Sequence, residues 1–285
     1  MKVAVLGDTG MLGSMLKGEL YAQGLDVVGY NRSNGMGVEY NADMFKRIET
    51  VIDPSVTHVV NCIGAIKPVF DRPESELNAV YTNAVFPREL ADWADCKTIW
   101  GEGEKKVIHI TTDCVFDGAD GWYTENSPHN ALDNYGKSKS LGEPINCMTL
   151  RTSIIGPEWG GNKRSLVEWF LSNRGGEVNG YTNHMWNGVT TLELARCISD
   201  IIWNDMYTVG VKHLFSHDTS KFELLLLMND AWELGIKVNP TEAGTPCNRT
   251  LRTIHEMNSI LRPQSMSKMF EELRPLIEED RTANV

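Results

Sequence analysis

Apolar and polar positions along the first half of the chain fall into alternating short blocks. Residues 2–6 form an apolar run that ends in glycine, the pattern of a strand covered on both faces. Residues 11–23 follow with Leu12, Met15, Leu16 and Leu20 at helical spacing, so a helix with that inner face is expected. A second strand is expected at 26–30, a helix at 43–52 and a third strand at 57–61. The rhythm continues with a long helix at 83–94, a polar surface loop at 97–105 and a strand at 106–111. Residues 116–133 are rich in Asp, Gly, Asn and Pro and read as an irregular loop. A helix through 135–141 and a strand at 147–152 close this half. Strand and helix alternating in this way predict a parallel sheet with helices on both faces.

Beyond residue 153 the rhythm loosens. A loop is expected at 157–163, helices at 165–173, 190–203 and 221–234, and a short strand at 213–216. The chain then reads as polar and loop-rich from residue 239 to a last helix near 267–277. The expected organisation is 1–152 as a cofactor-binding domain and 153–285 as a smaller α+β substrate lobe. The helix at about 189–204 should pack back onto the first domain.

Composition narrows the function. The chain has 285 residues and a formal charge of -11. It has no basic stripe, so nucleic acid is not an expected partner. No apolar run approaches the roughly 20 residues of a membrane helix. The six cysteines show no C-x-x-C and no zinc spacing with histidine, so no metal site is expected. Reduced thiols and the absence of a signal peptide point to the cytoplasm.

The candidate chemistry begins at Gly7-Asp8-Thr9-Gly10-Met11-Leu12-Gly13, between the first strand and its helix. In that context a glycine-rich turn lets the backbone approach a dinucleotide pyrophosphate at the helix N-terminus. The second strand ends in Asn31-Arg32-Ser33, with no acid to accept from a ribose 2′-hydroxyl. Arg32 suits a 2′-phosphate, with Asn31 and Ser33 as donors, so NADPH is expected ahead of NADH. Downstream, Tyr135 and Lys139 are four apart and share a helix face. An ammonium there would lower the phenol's pKa and equip it to protonate a carbonyl oxygen. A bare Tyr-x-x-x-Lys also arises on solvated helix faces; the glycine turn lifts this one above them.

These motifs form a set. The glycine turn, Asn61-Cys62-Ile63-Gly64-Ala65, Thr112 and Tyr135/Lys139 resemble the extended short-chain dehydrogenase/reductases. The stretches 110–118, 134–143 and 150–153 resemble the dTDP-4-dehydrorhamnose reductase (RmlD-like) branch. The resemblance is specific over about residues 1–156 and looser beyond. It implies a Rossmann-type doubly wound parallel sheet, NADPH, and reduction of a keto group on a nucleotide-linked deoxysugar. Tyr135 would then donate the proton. Lys139 would hold the nicotinamide ribose, and Thr112 would bond the substrate carbonyl or the phenol. Asn61 to Ala65, with Cys62, Ile63 and Gly64 between them, would lie along the cofactor, and Asn83 near the active end of the sheet.

The stretch Cys62 to Asp71 departs from the branch's usual substrate-facing sequence, which leaves the sugar open. Lys67, Asp113, Trp186 and Arg249 are the substrate candidates, with His184, Lys163, Arg164 and Arg252 weaker ones. The acidic stretches Glu271-Glu272 and Glu278 to Asp280 read as a solvated helix end. Asp113-Cys114 stands where dehydratases of this superfamily carry Asp-Glu, which disfavours dehydration. An epimerase or epimerase/reductase is the rival of the same class. A non-catalytic NADP-binding subunit resembling the beta subunit of methionine adenosyltransferase is the rival of another. A nucleotide sugar is the expected partner, with a homodimer left open.

Overall fold

The computed structural model describes residues 1–159 and 163–283, with side chains to residue 279. The middle of the expected loop at 157–163, and the side chain of Asp280, lie outside the described residues.

The first half runs β1 (Lys2–Leu6), α1 (Met11–Ala22), β2 (Asp26–Tyr30), α2 (Met44–Val51), β3 (His58–Asn61), α3 (Pro73–Val80), α4 (Phe86–Ile99), β4 (Lys106–Thr112), α5 (Asn134–Leu141) and β5 (Met148–Thr152). The second half runs β6 (Ile154–Ile155), α6 (Leu166–Ser172), β7 (Glu177–Tyr181), β8 (His184–Trp186), β9 (Val189–Thr190), α7 (Thr191–Trp203), β10 (Gly210–His213), β11 (Thr219–Ser220), α8 (Lys221–Trp232), β12 (Lys237–Thr241), β13 (Cys247–Asn248), α9 (Met257–Leu261) and α10 (Met266–Ala283).

The central sheet has the order β2-β1-β3-β4-β5-β10, and every pairing in it is parallel. Its interior strands are buried on both sides, because helices cover both faces. One core joins the sheet to α1 and α7 and runs on into the second half; the other packs α2 and α4 on the opposite face. The chain is thus α/β with a doubly wound parallel sheet. Strand order reverses between β1 and β3. At such a switch point the connections diverge and leave a crevice at the carboxyl ends of the strands.

The second half adds three small sheets: β11-β8-β13, β12-β7 and β6-β9. α7 packs against α1, on the sheet's own face. The strand expected at 213–216 lies instead at Gly210–His213, where it pairs with β5 and forms an edge of the main sheet. No helix among the described residues is long and apolar enough to cross a membrane.

The largest departure from the expected elements is at 83–94. Helix begins at Pro73, widens to a π turn at Tyr81–Val85 and resumes as α4. Pro87 explains the break. It has no N–H to give the carbonyl of Asn83, and its ring would strike that carbonyl in a regular helix.

Candidate active site

The switch-point crevice is a cavity of about 760 Å³. Gly7, Thr9 and Gly10 line one end, Asn31, Arg32 and Ser33 another, and Cys62, Ile63, Gly64 and Ala65 its floor. Met11, Leu12 and Gly13 do not line it. Leu12 belongs to the core. Gly13 supports the turn from behind: a Cβ there would sit 2.1 Å from the Gly7 carbonyl oxygen. Only glycine lets α1 start that close to the Gly7 and Asp8 backbone.

The Asn31-Arg32-Ser33 corner is more constrained than expected. Asn31 Oδ1 accepts from Ser33 N (2.8 Å) and Ser33 Oγ (2.6 Å), while Asn31 Nδ2 donates to Asp8 Oδ1 (2.7 Å). Asp8 is buried, and its other oxygen accepts from Lys17 Nζ at 2.7 Å. Asn31 and Ser33 are therefore committed to shaping the turn. The Arg32 side chain makes no hydrogen bond or ion pair among the described residues. Sequence reasoning looked for an acid at the end of β2; the acid present there, Asp8, arrives from the glycine turn.

The reactive groups sit at the end of β4 and on α5. Asp133 caps α5, accepting from Gly136 N at 2.7 Å, and is itself held by Lys67 Nζ at 2.6 Å. Lys67 is thus exposed and tied to the start of this helix. Phe70 meets the Tyr135 ring edge-on at 6.1 Å between centroids, and the Thr112 hydroxyl donates to Asp113 Oδ1 at 3.1 Å. Lys139 is 7% exposed. A Cβ on Gly64 would come within 2.7 Å of its ammonium, so this glycine lets Lys139 reach the cavity floor. Asn83, in the π turn, accepts from Ala65 N (2.8 Å) and donates to Ala65 O (3.0 Å) and Ser138 Oγ (3.2 Å). It ties the floor to α5, near the active end of the sheet.

The electrostatics correct one expectation. Burial pushes the Tyr135 phenol above its ordinary value, and the Thr112 hydroxyl offsets only part of the shift. Lys139 does not lower it. Burial instead brings Lys139 down to about 8. Cys62 and Cys114 are both pushed up to about 12 by burial, so neither is a thiolate nucleophile.

The substrate candidates divide. Asp113 is 4% exposed, and burial raises its pKa. Arg249 lies nearby, with Nε donating to Phe116 O (2.9 Å) and Nη2 to Asp117 O (3.2 Å). Trp186 is buried, and its N–H donates to Ser153 Oγ at 2.7 Å, so its polar edge is already satisfied. His184 meets the Thr245 carbonyl at 3.1 Å, and Arg252 pairs with Asp218 at 2.6 Å. Sequence reasoning missed Lys221, whose ammonium stands 4.6 Å over the Trp186 ring. Its one local signal was a lysine directly after a capping Ser220.

Comparison with known proteins gives a consistent picture. A 148-residue stretch is 34% identical to methionine adenosyltransferase 2 subunit beta of Danio rerio, covering half of this chain and 42% of that protein. A 150-residue stretch is 31% identical to a probable low-salt glycan biosynthesis reductase of Haloferax volcanii, covering half of this chain and 48% of that protein. The match thus spans about half the length of these curated relatives. Among solved structures, the dTDP-4-dehydrorhamnose reductase of Bacillus anthracis in complex with NADP superposes with a TM-score of 0.76. It is 20% identical, over 97% of this chain and 99% of that one, which establishes a shared fold. The family model described as the RmlD substrate binding domain matches residues 1–275, and the chain belongs to that family.

Proposed function

We propose that the chain is an NADPH-dependent reductase of a nucleotide-linked 4-keto-6-deoxysugar. The observation that carries this reading is a buried Lys139 pressed on Gly64 at the cavity floor, with Tyr135 four residues before it on α5. Residues 1–152 would hold the cofactor, and 153–285 would bring the substrate lobe against it. Gly7, Thr9 and Gly10 would take the pyrophosphate, Arg32 the 2′-phosphate, and Cys62 to Ala65 with Lys139 the nicotinamide end. A cavity of about 760 Å³ suits a dinucleotide. The bound cofactor would supply a hydride to the keto carbon. Tyr135 would supply the proton: burial keeps the phenol protonated until charge develops on the substrate oxygen. The Thr112 hydroxyl and the Lys139 ammonium would stabilise that charge. Six free thiols fit a reducing cytoplasm.

The identity to the zebrafish regulatory subunit supports a second reading, a non-catalytic NADP-binding partner of another enzyme. One experiment separates the two. NADPH oxidation is followed with a panel of dTDP-, UDP- and GDP-linked 4-keto-6-deoxysugars, with Tyr135→Phe alongside. The reductase reading expects turnover on one of them, reduced about 10²- to 10⁴-fold in the mutant. Tight NADPH binding without turnover on any of them sinks it and favours the regulatory one.

A further inference from the structure

Asp8 is a buried carboxylate inside the glycine turn, and the fold does not need it to join that turn to β2. The backbone does so already: Gly7 N donates to Tyr30 O at 2.7 Å, and β1 and β2 pair along their whole length. β2 nevertheless makes room for the side chain. A Cβ on Gly29 would sit 1.9 Å from Asp8 Oδ2. A buried charge given its own space calls for an explanation. Its two oxygens are both taken: Oδ2 accepts from Lys17 Nζ and Oδ1 from Asn31 Nδ2, each at 2.7 Å. Neither is left to accept from a ribose hydroxyl.

The bond to Asn31 decides how the next residues lie. A carboxylate only accepts, so it fixes the Asn31 amide with its NH2 toward Asp8 and its oxygen toward Ser33. That oxygen accepts from Ser33 N at 2.8 Å and Ser33 Oγ at 2.6 Å. Turned over, the amide would set its NH2 against the Ser33 N–H, donor against donor. The turn is closed further by Asn31 N on Asn34 Oδ1 (2.7 Å) and Asn34 Nδ2 on Gly29 O (2.9 Å). The Ser33 hydroxyl donates into this turn, which leaves Arg32, exposed and lining the cavity, as its group for a phosphate. Asp8 itself stands behind the turn and does not line the cavity.

We infer that Asp8 is a positioning residue: through Asn31 it orders the turn at 31–34 so that Arg32 meets the cofactor's 2′-phosphate, and so sets a preference for NADPH over NADH. This assignment rests on the NADPH reading above. An acid that only held the fold together would serve both cofactors alike, because they differ at that phosphate alone.

The test is calorimetric binding to the full chain as wild type, Asp8→Ala, Asp8→Asn and Gly29→Ala. The probes are two pairs that differ by the 2′-phosphate: NADPH with NADH, and 2′,5′-ADP with 5′-AMP. Gly29→Ala reaches the same bond from the other side, since its methyl takes the place of Asp8 Oδ2. Asp8→Ala and Gly29→Ala are expected to weaken NADPH and 2′,5′-ADP about 10-fold and to leave NADH and 5′-AMP within about 2-fold of wild type. Asp8→Asn keeps an oxygen for Asn31 and should recover most of the loss. Equal losses on both members of a pair, no loss in either alanine variant, or an Asp8→Asn as poor as Asp8→Ala overturns this assignment alone. A wild type that binds NADPH no tighter than NADH overturns the NADPH preference, and this assignment with it.

Discussion

Lys139 and Glu143 lie four residues apart, on α5 and just past its end, and both are buried. Their surroundings differ completely. Glu143 accepts from Arg151 Nε at 2.9 Å, and Arg151, 1% exposed, also donates to His213 Nε2 and His129 Nε2 at 2.7 Å each. His213 Nδ1 passes the bonding on to the Arg252 carbonyl at 2.6 Å, and His129 Nδ1 meets Ser140 Oγ at 2.6 Å. Since Arg151 only donates, both histidines must accept at Nε2 and stay neutral. This network joins β5, α5, β10 and the segment after β13, so it fixes the second half of the chain to the sheet. Lys139, by contrast, has no hydrogen bond or ion pair among the described residues, and Glu143 acts on it only at a distance. One turn of chain separates a saturated cluster that holds structure from an unsaturated ammonium at the cavity floor.

That contrast is most easily broken at Arg151. Arg151→Met leaves the Glu143 carboxylate buried without its partner, which should cost about 3–5 kcal/mol of stability in a urea titration. NADPH affinity measured below the transition should change little. A loss of NADPH affinity without loss of stability would mean that the network serves the site directly.

Lys139→Met should do the reverse. Removing an unpaired buried ammonium leaves stability equal or higher, while kcat/KM falls about 10²- to 10³-fold, as for loss of a charge-stabilising donor. A destabilised mutant with normal turnover would place Lys139 with the structural group.

The two clusters were not equally legible in the sequence. β1, the glycine turn, α1 and the Tyr135/Lys139 spacing were readable because each is a contiguous pattern with its own period. The π turn was not: Pro87 marks a break, but where the extra residue goes depends on Ala65 and Ser138 holding Asn83. Trp186 looked like a pocket residue in a polar stretch; it is buried by a partner, Ser153, 33 positions away. Lys221 reaches the face of Trp186 because β11, directly before it, pairs with β8. β10 joins the main sheet across a gap of some 60 residues from β5. These contacts are non-local, and local periodicity carries no information about them.

The smallest effect is the most discriminating, because the two clusters should respond to opposite ends of the pH scale. Burial and the Arg151 guanidinium hold His213 well below its ordinary value of 6.5. As pH falls through that value the unfolded chain takes up a proton that the folded one refuses, so stability declines toward acid. Lys139 is also depressed, from 10.5 to about 8. Between those values the unfolded chain again binds more protons, so raising the pH removes a penalty and the stability gap between wild type and Lys139→Met should narrow. Activity should move the other way, since kcat/KM falls as the ammonium is lost above about pH 8. His213→Gln should flatten the acid limb of stability and leave the alkaline limb of activity in place. If one substitution moved both limbs, the saturated and unsaturated clusters would be a single coupled unit, and their separation along α5 would have no functional meaning.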